Sequence, residues 1–370
     1  MEDPIPPGVA MGHMSKTEAG AAVTSPTADA EIPRVSVVIP CHNYAQFLGD
    51  AVESALSQEG VVVDVTIVDD ASTDDSQAIA LGWQARDERV RVKIHSANAG
   101  HIATFNEALA SARAPYVVKL DPDDVLPRGA LRRAAAVLDA HPDVAFVYGP
   151  VVPFSGPVPT TSRTVGSRRL KVWSGRRWAG LRLRRLRNVI YQPEVMIRAR
   201  ALELVGGHRD TVPAASDLNL WLRLSAVGAV ARIGGVAQGY YRKHQWSMQH
   251  TVHAGKLLDF RARRDAFRDF LNDPIIPREE SERWRRINDN ALGRDALRLA
   301  FEELEDGTPR PEFLEEARAL HPNVVRSVSW RNCVRRLADP LENGILVRVE
   351  RLVRDLDGRI RYRVWRRFGI

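Results

Sequence analysis

Cysteine is nearly absent from this 370-residue chain: Cys41 and Cys333 are the only two, far apart and without metal-ligand spacing. That argues against a disulfide framework or a zinc site and sets a reducing, cytoplasmic setting as the expectation. Long apolar runs are missing too, since no window approaches the roughly eighteen uninterrupted apolar residues of a membrane span. The start MEDPIPPGVAMGHMSK has neither a basic n-region nor an apolar h-region, so export is not expected either. No internal repeat is present. Acidic residues are lacking from one whole segment, Val151 to Pro193, which holds Arg163, Arg168, Arg169, Lys171, Arg176, Arg177, Arg182, Arg184, Arg185 and Arg187.

What is present begins with 44% hydrophobic residues, enough for a sizeable core, and a net charge of +7 that favours an anionic partner without naming one. Residues 1–32, rich in Ala, Pro, Thr, Gly and Ser without periodicity, read as a disordered leader. From Val35 to Tyr148 short β-branched runs alternate with longer amphipathic ones: VSVVI, FLGDAVESALSQ, VDVTIVD, DDSQAIALGWQAR, VRVKIH, HIATFNEALASAR, YVVKL, GALRRAAAVLDAH, VAFVY. Strands apolar on successive residues suit burial on both faces, and their alternation with helices predicts an α/β fold with a mainly parallel, doubly wound sheet. The Arg-rich segment 151–193 reads as a basic insertion, and regular pattern returns with EVMIRARALELVGG, the helix SDLNLWLRLSAVG and strand material in VARIGGVAQGYYRKH. After about His253 the chain is mostly charged amphipathic helix, ending in the basic, aromatic GRIRYRVWRRFGI.

In an open parallel sheet, ligands bind outside the carboxyl ends of the strands. Here the first strand ends at Pro40, Cys41, His42 and Asn43, the second at Asp69 and Asp70, and the fourth at Asp121, Asp123 and Asp124 in DPDD. Clustered carboxylates raise one another's pKa unless a cation compensates, and all-oxygen ligands suit Mg²⁺ or Mn²⁺ held by one or two carboxylates plus substrate phosphates. A plainer role for DPDD is a solvated turn capping a helix that starts near Arg128. Asp74 is the expected cap of the helix through Ile79, which leaves Asp70 available to accept a pyrimidine ring N–H.

The order VSVVIPCHNYAQFLGDAVESALSQ, VTIVDDASTDDS, NAGHIATFNEALASARAPYVVKLDPDD, SDLNLWLRL and YYRKHQWSM resembles family 2 glycosyltransferases of the GT-A fold over roughly Arg34 to His250. The resemblance implies a GT-A domain at 33–250, with a nucleotide-binding half at 33–150 and an acceptor half at 151–250, followed by a helical C-terminal extension at 251–370. It implies that Asp70 contacts the nucleobase, that Asp121 and Asp123 form a DxD element on ribose and metal-bound diphosphate, and that Asp124 shares metal duty. Asn98, in the NxG element, falls close to the nucleotide, although capping explains it as well, and Asn106 flanks the same helix start. His244 matches a position near the donor diphosphate, with Arg242 and Lys243 assisting electrostatically. The acidic pair of the acceptor half is altered: Ser216 replaces its Glu and Asn219 a following Asp, leaving Asp217 as the candidate general base or, more plainly, a helix N-cap.

These readings converge on an inverting, metal-dependent transfer from a nucleoside-diphosphate sugar, UDP-sugar favoured, to a glycan, lipid-linked or small-molecule hydroxyl. Cell-surface polysaccharide, glycolipid and secondary-metabolite glycosylation all fit. A nucleotidyltransferase would need a Gly-rich phosphate loop after the first strand, and IPCHNYAQFLGD has none. A nucleotide-binding module without catalysis has no use for Asp217. Nucleic-acid binding is not expected, because Trp173 and Trp178 lack a stacking pattern among the arginines. Peripheral contact with the inner face of a membrane, through the Arg-rich insertion and basic tail, is the remaining expectation.

Overall fold

A computed structural model describes residues 31–160, 164–165, 169–244 and 255–338. Residues 1–30 of the leader, the tail GRIRYRVWRRFGI and the end of YYRKHQWSM lie outside the described residues. The first half alternates as its pattern predicts: β1 (Arg34–Cys41), α1 (Ala45–Leu56), β2 (Val62–Asp69), α2 (Ser76–Arg86), β3 (Val90–Ile94), α3 (His101–Ala110), β4 (Tyr116–Lys119), α4 (Ala130–Ala140) and β5 (Val144–Tyr148). Then come β6 (Val151–Phe154), β7 (Thr164–Val165), β8 (Lys171–Trp173), α5 (Gly175–Arg185), β9 (Met196–Arg198), α6 (Ala199–Val205), α7 (Ser216–Val227), β10 (Ala229–Arg232), β11 (Gly235–Val236) and β12 (Gly239–Arg242). The rest is helical: α8 (Lys256–Leu271), α9 (Arg278–Glu305), α10 (Glu312–Leu320) and α11 (Val328–Ala338).

Eight strands form one sheet in the order β3-β2-β1-β4-β9-β5-β10-β8. β1 pairs in parallel with β2 and β4, β2 with β3, and β5 with β10, while β9 runs antiparallel between β4 and β5 and β8 antiparallel at the edge. Alternate residues of β1 serve opposite faces: Val35, Val37 and Ile39 pack with α1 and α4, and Val38 packs toward α3. Covering both faces explains why these strands read as continuous apolar runs.

The Arg-rich segment is not an appendage. It supplies β6, β8 and α5, with Trp178, Leu183 and Arg182 fully buried and Trp173 nearly so. The Trp178 ring meets Phe146 edge-on at 5.6 Å, and the Arg182 guanidinium lies 5.2 Å from the Trp178 ring. Both tryptophans therefore serve the core rather than a lipid surface, and Arg176, Arg177, Arg184, Arg185 and Arg187 are the exposed arginines of α5 and the turn after it. α5 approaches α7 so closely that a Cβ on Gly175 would strike the carbonyl oxygens of Ser225 and Gly228. Neither carbonyl can swing aside as a side chain would, so Gly175→Ala is expected to destabilise the fold by about 3 kcal/mol, read as a lowered midpoint in thermal or urea unfolding.

One apolar cluster continues from the sheet through α5 and α7 into the C-terminal helices, where Phe260, Phe267, Phe270, Leu292 and Phe313 are completely buried. The buried face of α7 also carries polar groups. Asn219, fully buried, accepts from Arg223 Nε at 2.8 Å and donates to Asp269 on α8 at 2.9 Å. The residue that replaces the second acid of the altered motif thus ties α7 to α8 rather than facing a ligand.

Candidate functional site

The loops after β1 and β2 are knitted together. Asn43 adopts a left-handed φ of 61°, which Asn tolerates, and its Oδ1 accepts the Thr73 N–H at 2.7 Å. The Asn43 N–H donates to Ser72 Oγ at 2.9 Å, and Ser72 donates both its N–H and its hydroxyl to Asp69. Asp69 is completely buried, and Pro40 is buried within β1. Both were expected at a ligand surface; instead Asp69 fastens the loop from beneath, because its two oxygens are consumed by Ser72. Asp74, expected as the N-cap of α2, stands one residue before it, since Asp75 holds that position; from there it accepts the N–H of Ser76, the first residue of α2, and that of Ala45.

Asp70 lies at the same rim, only 3% exposed. Its Oδ1 accepts from Ala99 N at 2.7 Å and His95 Nδ1 at 2.8 Å, and its Oδ2 accepts from Gly100 N at 3.1 Å. Burial alone would raise its pKa, but the Ala99 N–H, His95 and Thr104 outweigh it and hold the carboxyl below the usual range. Asn98 is exposed and turns the chain into α3 by accepting the Gly100 N–H at 3.0 Å, and its amide lies 3.4 Å from the His42 ring. Asn106 is no part of that helix start: its amide accepts from His208 N and donates to His208 O, fixing the turn ahead of α7.

The DPDD turn follows β4 and does not cap α4, which begins at Ala130 with Gly129 before it and no side-chain cap. Lys119, 3% exposed, donates to Asp121 Oδ1 at 2.5 Å and sits 3.9 Å from the Phe105 ring centroid. Asp123 Oδ2 meets His244 Nε2 at 2.8 Å. Asp124 Oδ1 accepts the Arg242 N–H at 3.0 Å, whereas its buried Oδ2 has no hydrogen-bond partner. Burial first, then neighbouring carboxylates, raises the pKa of Asp123 and drives that of Asp124 well above the usual range. Arg242 does not face a ligand. It is 6% exposed, lies between the Phe47 and Phe154 rings, and donates to Asp123 O and to Asp50 Oδ2 at 2.9 and 2.6 Å, so it braces the turn.

An orphaned carboxylate oxygen beside two more carboxylates is a donor set for a hard divalent cation. Asp123 and Asp124 fit that purpose; Asp121 already has the Lys119 ammonium. Among the described residues no group of three or more His, Cys, Asp or Glu side chains is arranged to hold a metal ion by itself.

Asp217 stands in the first turn of α7, not at its N-cap, because the helix starts at Ser216 with Ala215 before it. It is half-buried; Oδ1 accepts the Leu218 N–H at 2.7 Å and Oδ2 accepts Asn188 Nδ2 at 2.6 Å. Burial raises its pKa, with Leu218 N–H and Lys119 acting against it and Asp121 adding to it. Asp217 and the DPDD turn therefore share one electrostatic environment. Ser216 bonds its hydroxyl to His208 Nδ1 at 3.0 Å, and burial, followed by Lys119 and Arg223, lowers the His208 pKa to about 3.

Sequence reasoning passed over Lys119, His95, Glu107, Asn188 and His208. A lysine inside the apolar run YVVKL, immediately before DPDD, is a legible signal of a paired buried charge, and His95 closes β3 at the same rim. Asn188 and His208 lie in irregular chain and carry no pattern.

Residues 36–199 match the family described as Glycosyl transferase family 2. Chondroitin synthase of Escherichia coli is 30% identical over 206 residues, 55% of this chain and 28% of that protein. Hyaluronan synthase of Pasteurella multocida is 28% identical over 198 residues, 53% of this chain and 19% of that protein. The chain thus spans less than a third of the length of these relatives. Among solved structures, S. aureus TarS 1-349 in complex with UDP-GlcNAc aligns with a TM-score of 0.55 at 16% identity, over 83% of this chain and 92% of that one. The fold is accordingly GT-A, as the sequence led one to expect, with a helical C-terminal region. No helix among the described residues is long and apolar enough to cross a membrane.

Proposed function

Because residues 36–199 place this chain in glycosyl transferase family 2, we propose that it transfers a sugar from a nucleoside diphosphate, UDP-sugar favoured, to a hydroxyl of a growing polysaccharide, with inversion. The observation that carries the reading is the unpartnered Asp124 Oδ2 among three carboxylates, with Asp217 in the same field across the rim. Asp70, whose carboxylate is held by Ala99, His95 and Gly100 with the Thr104 hydroxyl beside them, is the acceptor for a ring N–H of the base. Asn43 and Asn98 border the nucleotide, Asp121 takes ribose, and His244 holds Asp123 beside the diphosphate. Asp123 and Asp124 hold Mg²⁺ or Mn²⁺, whose charge offsets that of the diphosphate.

Asp217 then does the proton work. Its raised pKa makes it a stronger base than an ordinary carboxylate, and the Asn188 amide and Leu218 N–H fix its plane toward an acceptor hydroxyl. The hydroxyl oxygen attacks the anomeric carbon as its proton passes to Asp217, and the nucleoside diphosphate leaves from the opposite side. The chondroitin and hyaluronan synthases among the relatives favour a polysaccharide acceptor. The exposed arginines at the end of α5 and just beyond it, Arg184, Arg185 and Arg187, suit an anionic glycan or lipid-linked acceptor at a membrane face. A panel of UDP-, dTDP- and GDP-sugars, each with Mn²⁺ or Mg²⁺, tests the reading: a UDP-sugar is expected to raise the melting temperature and to be hydrolysed or transferred. Silence toward every nucleotide sugar would sink it.

A further inference from the structure

The Asp70 carboxylate does not stand alone; it ends a chain of charges that reaches the surface. His95, just beyond β3 and 11% exposed at its side chain, places Nδ1 2.8 Å from Asp70 Oδ1 and Nε2 2.8 Å from Glu107 Oε2 on α3. Lys93, largely exposed, pairs with the other oxygen of Glu107. On the far side of Asp70 the His42 ring meets its backbone carbonyl at 2.7 Å. Both ring nitrogens of His95 thus face carboxylates, and neither carboxylate has a proton to donate. Glu107 is held below the usual range by Lys93 first and then His95, as Asp70 is by its donors. A neutral imidazole carries one N–H and leaves one carboxylate facing a lone pair; only the imidazolium makes both bonds.

We propose that His95 is a positioning residue of the nucleotide site: as an imidazolium bridging Asp70 and Glu107 it fixes the base-reading carboxylate, and donor affinity falls once the ring loses a proton. The inference rests on the reading of Asp70 given above. With Oδ1 bonded to His95 and Ala99, Oδ2 to Gly100 and the Thr104 hydroxyl alongside, Asp70 is held in one orientation. An acceptor fixed opposite a ring nitrogen favours a base that carries N–H there, as uracil, thymine and guanine do, over cytosine and adenine, whose ring nitrogen on that edge is itself an acceptor. The bond from Asp70 is the main influence raising the His95 pKa, burial opposes it, and Glu107 adds to it. The sign follows: the contribution is complete below the ordinary imidazole value of about 6.5 and is lost as pH rises through the higher folded value.

The test is equilibrium binding of UDP-GlcNAc to the full chain across roughly pH 6 to 8.5, a window that spans imidazole titration. Wild-type affinity is expected to fall about tenfold with rising pH, the scale of one charged hydrogen bond. Glu107→Gln removes one of the two carboxylates, so its fall should begin at lower pH. His95→Gln should bind weakly and without that pH dependence, and in turnover should raise the donor KM more than it lowers kcat. A flat wild-type profile, or a His95→Gln protein with the wild-type profile, overturns the proposal; if His95→Gln does not fold, the shift in Glu107→Gln decides. Asp70→Asn separates the two levels. If it is weak while His95→Gln matches wild type, only the role of His95 falls; if Asp70→Asn itself binds normally, or wild type binds no nucleotide sugar, the reading of Asp70 falls and the inference with it.

Discussion

Replacing Asp217 by asparagine is expected to lower sugar transfer by about 10²–10⁴, the range general-base assistance supplies, while nucleotide binding changes little. The asparagine side chain keeps the shape and can still accept the Leu218 N–H, but it cannot take a proton. Two readouts separate this from a structural defect. Donor affinity should stay at the wild-type level, because Asp217 touches only Asn188 and Leu218 among the bonds at its carboxylate. The pH profile of kcat/KM should also change in form. Burial raises the Asp217 pKa, so the wild-type acid limb lies above the ordinary carboxylate value of about 3.9 and activity climbs as Asp217 deprotonates. The residual activity of Asp217→Asn should lack that limb. A variant with wild-type turnover would remove Asp217 from the mechanism.

Asp124→Asn should act with opposite signs in the presence and absence of divalent metal. Without metal, Asp124 is a buried carboxylate whose Oδ2 has no donor and whose neighbours are Asp123 and Asp121. Neutralising it removes that repulsion while the new amide oxygen still accepts the Arg242 N–H, so the metal-free fold should be equally or more stable. With metal the order reverses. A ligand at about 100 times its Kd stabilises the folded state by ~2.7 kcal/mol, and Asp124→Asn should lose most of that gain together with transfer activity. Thermal melts of both proteins, with EDTA and with Mn²⁺, read both signs. Equal metal-induced shifts in the two proteins would place the cation elsewhere.

The alternation of β-branched and amphipathic runs made the first five strands and four helices legible, since burial on both faces leaves an unmistakable apolar signature. The rule that loops at strand ends bear the ligands pointed to Asp70 and the DPDD turn, and the fold sets them directly after β2 and β4. Asp69 was misjudged because sequence shows that two acids are adjacent but not which one Ser72 will claim. The Arg-rich segment was misjudged for a different reason. Charge density suggests solvent, yet Trp178 and Leu183 carry α5 into the core and take Arg182 with them, which no periodic count reveals when six of the twelve residues from Arg176 to Arg187 are basic. Lys119 and His95 were visible as residue types and invisible as partners, because their bonds close between segments that only the fold brings together.

The stitching of Asn43, Ser72, Thr73 and Asp69 has a kinetic consequence. Two loops that would otherwise sample many conformations are already pinned to one another by backbone N–H groups and side-chain oxygens without any ligand. If the proposed nucleotide site is right, a nucleotide arriving there would lose little affinity to the ordering of protein, and differences among nucleotide sugars should show in how fast they depart rather than in how fast they arrive.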